Sequence, residues 1–192
     1  MIRSLLVVSL LISAASCGDN EKPLFDYSNP PKGGMLRLIK SKTKPASQSQ
    51  VVLDLVVGDQ PLTGYSVGFN LPLPPGTVRL ADFVPGKVLD PGTSPPAAQA
   101  IQPTKGPLAG HLVTALSQKA SGPGAVATDT LLPAGTVLYT IRLEVVGSTP
   151  DGIVVDGTAA DFVLPSGGMR DHGGTTVVEA KDVSIGTLEV NR

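Results

Sequence analysis

Thr136-Val137-Leu138-Tyr139-Thr140-Ile141-Arg142-Leu143-Glu144-Val145-Val146 alternates along its length. Val137, Tyr139, Ile141, Leu143 and Val145 fall on one face, and Thr140, Arg142 and Glu144 on the other. In an extended chain successive side chains point to opposite sides of a sheet, so this stretch reads as a half-buried strand. Outward from it, Val51 to Val57 alternates similarly, with Leu53 and Leu55 inward and Asp54 outward. Tyr65, Val67, Phe69 and Leu71 make a third inward face, opposite Ser66, Gly68 and Asn70. Shorter strands are predicted at 35–40, 78–84, 112–117, 153–156, 162–164, 177–183 and 187–190. Ala97 to Ile101 reads equally as a helical turn or a strand. Turn signals separate these segments, among them Pro74-Pro75-Gly76, Pro85-Gly86, Gly122-Pro123-Gly124, Pro133-Ala134-Gly135 and Gly167-Gly168. Many short strands so punctuated predict an all-β fold, a single antiparallel sandwich over residues 34–192.

Composition agrees. The chain has 22 Gly and 18 Pro, about a fifth of its 192 residues, which leaves little room for long helices. Apolar residues make up 41%, enough for one sizeable core. Fifteen basic and 16 acidic residues give a net charge of −1, without the basic excess that a nucleic-acid binder carries. One Cys and two His exclude a structural zinc site and an internal disulfide.

The first segment is an address. Met1-Ile2-Arg3 is a short positive start, Leu5 to Ile12 is apolar but for Ser9, and small residues follow from Ser13 to Ser16. This is the layout of a secretory signal peptide over 1–16, too short to span a bilayer. Ala14-Ala15-Ser16-Cys17 resembles the bacterial lipobox, although Leu is commoner where Ala14 stands. That resemblance implies a lipid on Cys17 and a place in the bacterial envelope, at the outer membrane or cell surface. Residues 17–33, polar and without periodicity, read as a flexible tether from the membrane, with Phe25 and Tyr27 mobile in it.

Strand order adds a second resemblance. Gly64-Tyr65-Ser66-Val67-Gly68-Phe69-Asn70-Leu71, a Pro-rich turn, Val78 and Leu80, then Phe83-Val84-Pro85-Gly86-Lys87-Val88-Leu89 resemble the front half of cohesin domains. Gly135 to Val145 resembles the long Gly-led strand of that family, and Gly186-Thr187-Leu188-Glu189-Val190 its closing strand. The resemblance covers about 34–190 and rests on motifs common to many sandwiches. It implies a non-catalytic, nine-stranded jelly roll that binds dockerin modules through one sheet face and shares its architecture with carbohydrate-binding modules. Two departures bear on binding rather than on fold. Ser66 and Gly68 stand where many cohesins present Asn or Asp, and Leu71-Pro72-Leu73-Pro74-Pro75 replaces the usual Tyr-Asp-Pro turn.

Catalytic patterns are present only in form. Gly64-Tyr65-Ser66-Val67-Gly68 matches G-x-S-x-G, but that motif needs a helix after the Ser, which Pro72, Pro74 and Pro75 forbid. Asp171-His172 could supply a base, yet His172-Gly173-Gly174 follows the Ser, whereas an oxyanion loop precedes it. Gly122-Pro123-Gly124-Ala125-Val126-Ala127 fits a dinucleotide fingerprint without the βαβ unit it requires. The reading is of a protein that is not an enzyme and needs no cofactor. Calcium is the one metal considered, with Asp151, Asp156 and Asp161 as loop candidates, although Asp-Gly pairs at 151–152 and 156–157 are ordinary turn formers.

Two functions remain. The first is a lipid-anchored module that recruits a protein partner through a sheet face or edge; Val52, Asp54 and Val56, with Arg142 and Glu144, are its candidate contacts. Leu138 and Val146 flank the second group on the same outward side. The second is a glycan-binding or structural envelope lipoprotein. Sugar rings stack on aromatic platforms, and the chain has no Trp, while Tyr65, Phe69 and Tyr139 fall on core faces.

Overall fold

The computed structural model describes residues 23–73, 76–89, 95–120, 122–146, 153–156 and 168–191. Its strands are β1 (Phe25–Ser28), β2 (Leu36–Lys40), β3 (Gln50–Val57), β4 (Leu62–Gly64), β5 (Ser66–Pro72), β6 (Val78–Pro85), β7 (Ala97–Ile101) and β8 (His111–Ser117). They continue as β9 (Thr130–Leu132), β10 (Val137–Val145), β11 (Ile153–Asp156), β12 (Gly168–Arg170), β13 (Thr176–Val178), β14 (Val183–Ser184) and β15 (Thr187–Val190). A single 3-10 turn, Ala180–Asp182, is the only helical element among the described residues. It interrupts the strand expected over 177–183. Ala97–Ile101 is a strand, and the segment expected at 162–164 lies outside the described residues.

Two five-stranded sheets face each other, ordered β14-β2-β3-β10-β6 and β13-β12-β5-β8-β7. All but one of their pairings are antiparallel; β14 runs parallel to β2. The all-β antiparallel sandwich that the alternation implied is what forms. Tyr139 of β10 ties the two layers together. It is buried, lies edge-on to Phe69 of β5 at 6.4 Å, and shares a 2.7 Å hydrogen bond with Thr114 Oγ1 of β8. Phe83 of β6 packs on it at 5.3 Å. Burial pushes the Tyr139 phenol well above its ordinary pKa.

Two bulges shift faces that strict alternation would assign. In β10 the register against β3 jumps between Val137 and Tyr139, so Leu138 is the extra residue. Leu138 is therefore fully buried, although the sequence places it outward, and Val137, expected inward, is 38% exposed. The Leu138 carbonyl accepts the Gly86 N–H at 2.7 Å, and a side chain at Gly86 would overlap that oxygen. In β6 the extra residue is Ala81, which keeps both Leu80 and Phe83 packed against the core while Val84 points to solvent.

The segment read as a tether is part of the domain from Pro23 on. β1 pairs with β15, which also pairs with β11, in a third sheet. Phe25 and Tyr27 are buried, at 2% and 3% exposure. The Tyr27 hydroxyl donates to the Leu38 carbonyl at 2.8 Å and accepts the Gly186 N–H at 2.6 Å. A period-two signal only four residues long, interleaved with Asp26 and Ser28, is too short to stand out in a polar context, so pairing with the distant β15 decides it.

β6 is an edge strand with its open side protected. Gln102 Nε2 donates to the Val78 carbonyl at 2.9 Å, and Gln102 Oε1 accepts the Leu80 N–H at 3.0 Å. The Asp82 carboxylate takes the Phe83 N–H at 2.9 Å, and Pro85 has no N–H to offer. Such devices stop an edge from pairing with another chain.

Candidate functional site

The first sheet turns Leu36, Leu38, Leu53, Leu55, Tyr139, Ile141 and Leu143 into the core. Pairing registers then set four rows on its outer face. They are Gln50–Glu144–Arg79, Val52–Arg142–Asp82, Ile39–Asp54–Thr140–Val84 and Arg37–Val56–Val137. The five residues singled out from the sequence, Val52, Asp54, Val56, Arg142 and Glu144, are thus brought together on adjacent strands.

One part of this face is internally satisfied. Arg79 Nε donates to Glu144 Oε1 at 2.6 Å, a second guanidinium nitrogen of Arg79 pairs with the same oxygen, and Gln50 Nε2 donates to Glu144 Oε2 at 3.0 Å. The Arg79 hydrogen bond, then that of Gln50, holds the Glu144 carboxyl below its usual range. The Thr140 hydroxyl donates to Asp54 Oδ1 at 2.6 Å. These bonds fix the orientation of both carboxylates.

The other part is not satisfied. Arg37 and Arg142 make no hydrogen bond or ion pair among the described residues, and each has a buried Nε without a partner. They flank Asp54 from strands two apart and rows four residues apart, roughly 16 Å by ordinary sheet spacings. Between β2 and β3 the face sinks into a trough of about 650 Å³ lined by Arg37, Ile39, Asp54, Val56 and Val137.

The valines are covered rather than open to contact. Val52 and Val56 lie on the outward side but are only 3% and 5% exposed. The loop following β2 folds back over the sheet, with the Ser41 N–H bonded to the Val52 carbonyl at 2.8 Å, and Val56 lies in the floor of the trough. Val84, 53% exposed, and Val137 supply the accessible apolar surface instead. Arg37 and Ile39 were missed as site residues. Their signal was available in Leu36-Arg37-Leu38-Ile39, where alternation places them on the face opposite Leu36 and Leu38.

The catalytic patterns resolve into ordinary structure. Ser66 opens β5 opposite Ser117 and Arg170, and the chain continues as a strand through Pro72. His172 and Gly173 form the tip between β12 and β13, closed by the Gly174 N–H on the Asp171 carbonyl at 3.1 Å and the Thr175 N–H on Asp171 Oδ1 at 2.7 Å. His172 Nδ1 bonds Asp129 Oδ2 at 2.8 Å, and the His172 backbone N–H donates to Asp129 Oδ1 at 2.7 Å. Among the described residues no hydrogen bond joins this dyad to Ser66. Gly122 to Ala125 is a turn, with the Ala125 N–H on the Gly122 carbonyl at 3.1 Å.

Of the calcium candidates, Asp151 and Asp161 lie outside the described residues, while Asp156 ends β11 opposite Thr187. No group of three or more metal-ligating side chains occurs among the described residues. Cys17 also lies outside them. The described aromatic residues are buried or half-buried, so none forms an open platform.

No protein-family model matches this chain, and no curated protein matches it. The solution structure of CaCohA2 from Clostridium acetobutylicum is similar over 82% of this chain and 89% of that one, with 10% identity and a TM-score of 0.48.

Proposed function

We propose that this protein is a non-catalytic, lipid-anchored extracytoplasmic module that recruits a protein partner at the bacterial cell surface through the outer face of its first sheet. The observation that carries the reading is the pair Arg37 and Arg142, whose buried Nε atoms have no hydrogen-bond partner among the described residues. Both side chains are only half-buried, so their terminal guanidinium nitrogens stay open to a partner's carboxylate, and guanidinium is suited to bidentate carboxylate contact. Two such groups roughly 16 Å apart, by ordinary strand and residue spacings, suit an extended partner surface better than a small ligand. The carboxylates of Asp54 and Glu144 are already oriented by their neighbours, so the face is organised before contact, which lowers the ordering entropy that binding must overcome.

The test uses the mature chain, immobilised and exposed to the secreted and envelope proteins of its source, with and without calcium chelation. A recovered protein whose capture is lost in Arg37→Ala and Arg142→Ala, but kept in Ser66→Ala on the other sheet, supports the reading. Capture indifferent to both arginines, or recovery of polysaccharide alone, overturns it.

A further inference from the structure

A second cavity, of about 510 Å³, lies where the described chain begins. Its base is closed by Phe25, Val51 and Val52, each no more than 3% exposed, and Pro45 lines its wall. Its rim carries Lys40, the last residue of β2, and Lys42 and Lys44 from the loop between β2 and β3. One carboxylate, Asp26, stands among them and is paired with Lys40. Lys42 and Lys44 are exposed, and their ammonium groups have no hydrogen bond or ion pair among the described residues.

Pro23 itself lines this groove. It is six positions along the chain from Cys17. A fully extended segment of that length reaches roughly 20 Å, so a lipid on Cys17 holds the groove's end of the sandwich close to the membrane surface. We propose that the groove is a membrane-docking site for anionic phospholipid: Lys42 and Lys44 contact headgroup phosphates, and Pro23, Pro45 and the lysine stems meet the glycerol and upper acyl region beneath them. The proposal rests on the reading of Cys17 as the anchor.

The test is a lysine acetylation footprint of the mature chain isolated from producing cells. The chain is reconstituted into vesicles of phosphatidylcholine, or of phosphatidylcholine with phosphatidylglycerol. Mass spectrometry reads both the acyl mass on Cys17 and the modification rate of each lysine. Phosphatidylglycerol is expected to slow Lys42 and Lys44 about fivefold each, the factor set by one lysine near an anionic surface. Lys87 and Lys119, where β6 and β8 finish at the other end of the sandwich, should be unchanged. Raised salt should erase the difference, since exposed charges are screened within a Debye length. Equal rates in the two vesicles, or equal protection of all four lysines, overturn the proposal. So does loss of protection on adding inorganic phosphate at constant ionic strength, which would mark a free-phosphate site. Should Cys17 carry no acyl mass, the anchor reading fails by itself, and flotation of the soluble chain with the same vesicles tests the groove. Salt-sensitive flotation abolished by Lys42→Glu with Lys44→Glu sustains it, and absence of flotation overturns it.

Discussion

Replacing Tyr27 by Phe removes one oxygen and tests whether the segment before Gly34 belongs to the fold. The hydroxyl is buried, accepts the Gly186 N–H at 2.6 Å and donates to the Leu38 carbonyl at 2.8 Å. Leu38 and Leu55 are a non-hydrogen-bonded antiparallel pair, because Met35 and Ser41 are the β2-side residues that bond across to β3, so the Leu38 carbonyl points towards Tyr27 and loses its partner as well. The Gly186 N–H faces Tyr27 too, and the Gly186 Cα is pressed against the Ser28 carbonyl so closely that any side chain would overlap it. The cost is one buried donor and one buried acceptor left unmade, about 2 kcal/mol together with each group taken at the low end. For a domain of this size that corresponds to a fall in Tm of about 4–8 °C. Urea unfolding followed by tyrosine fluorescence and by far-UV circular dichroism measures it, with the slope m expected to stay constant. An unchanged midpoint, within about 0.3 kcal/mol, would refute the reasoning, because a mobile tether would lose nothing. The same group sets an alkaline signature. Burial, opposed by the Gly186 hydrogen bond and by Arg37, raises the Tyr27 pKa from 10.0 to about 12. A raised phenol pKa means that the folded state holds its proton longer. Stability is thus full below pH 10 and falls by about 1.4 kcal/mol per pH unit between 10 and 12, a loss that Tyr27→Phe should reduce.

Two further outcomes are expected. The Asp129 hydrogen bond, then its charge, raises the His172 pKa, so this pair contributes stability below pH 6.5 that disappears as pH rises through the raised value. Asp129→Asn should return the imidazole titration, followed by NMR, towards its ordinary midpoint, and an unmoved titration would show that the pair does not form. Gln102→Ala should cost about 1 kcal/mol by freeing the Val78 carbonyl and Leu80 N–H, and should produce concentration-dependent association in sedimentation velocity. A strictly monomeric variant over a wide concentration range would show that Gln102 does not protect that edge.

The long strands were legible because their burial is one-sided over enough residues to leave a period. β3 and β10 show this best, and the antiparallel sandwich follows from them and from the turn residues between. Three-residue strands such as β4, β9 and β12 carry no period, and Gly168, read as a turn, opens one of them at φ +98°. The bulge at Leu138 was illegible for a related reason. Alternation assumes that each residue advances the register by one, and a bulge is a relation between two strands far apart in sequence. The candidate site shows the same division. That Asp54, Arg142 and Glu144 point outward follows from period two, whereas the covering of Val52 by the loop after β2 depends on where that loop folds back.

The amino-acid sequence by itself determined the all-β class and the inward residues of the long strands away from the bulge in β10. Those follow from local sterics and from burial periodicity, which act over a few residues. Tertiary structure alone decided that Phe25 and Tyr27 belong to the core, since a buried hydroxyl is satisfied there only by Gly186 and Leu38. It also left Arg37 and Arg142 on one face without a hydrogen bond or ion pair among the described residues, because cross-strand register determines which charges meet.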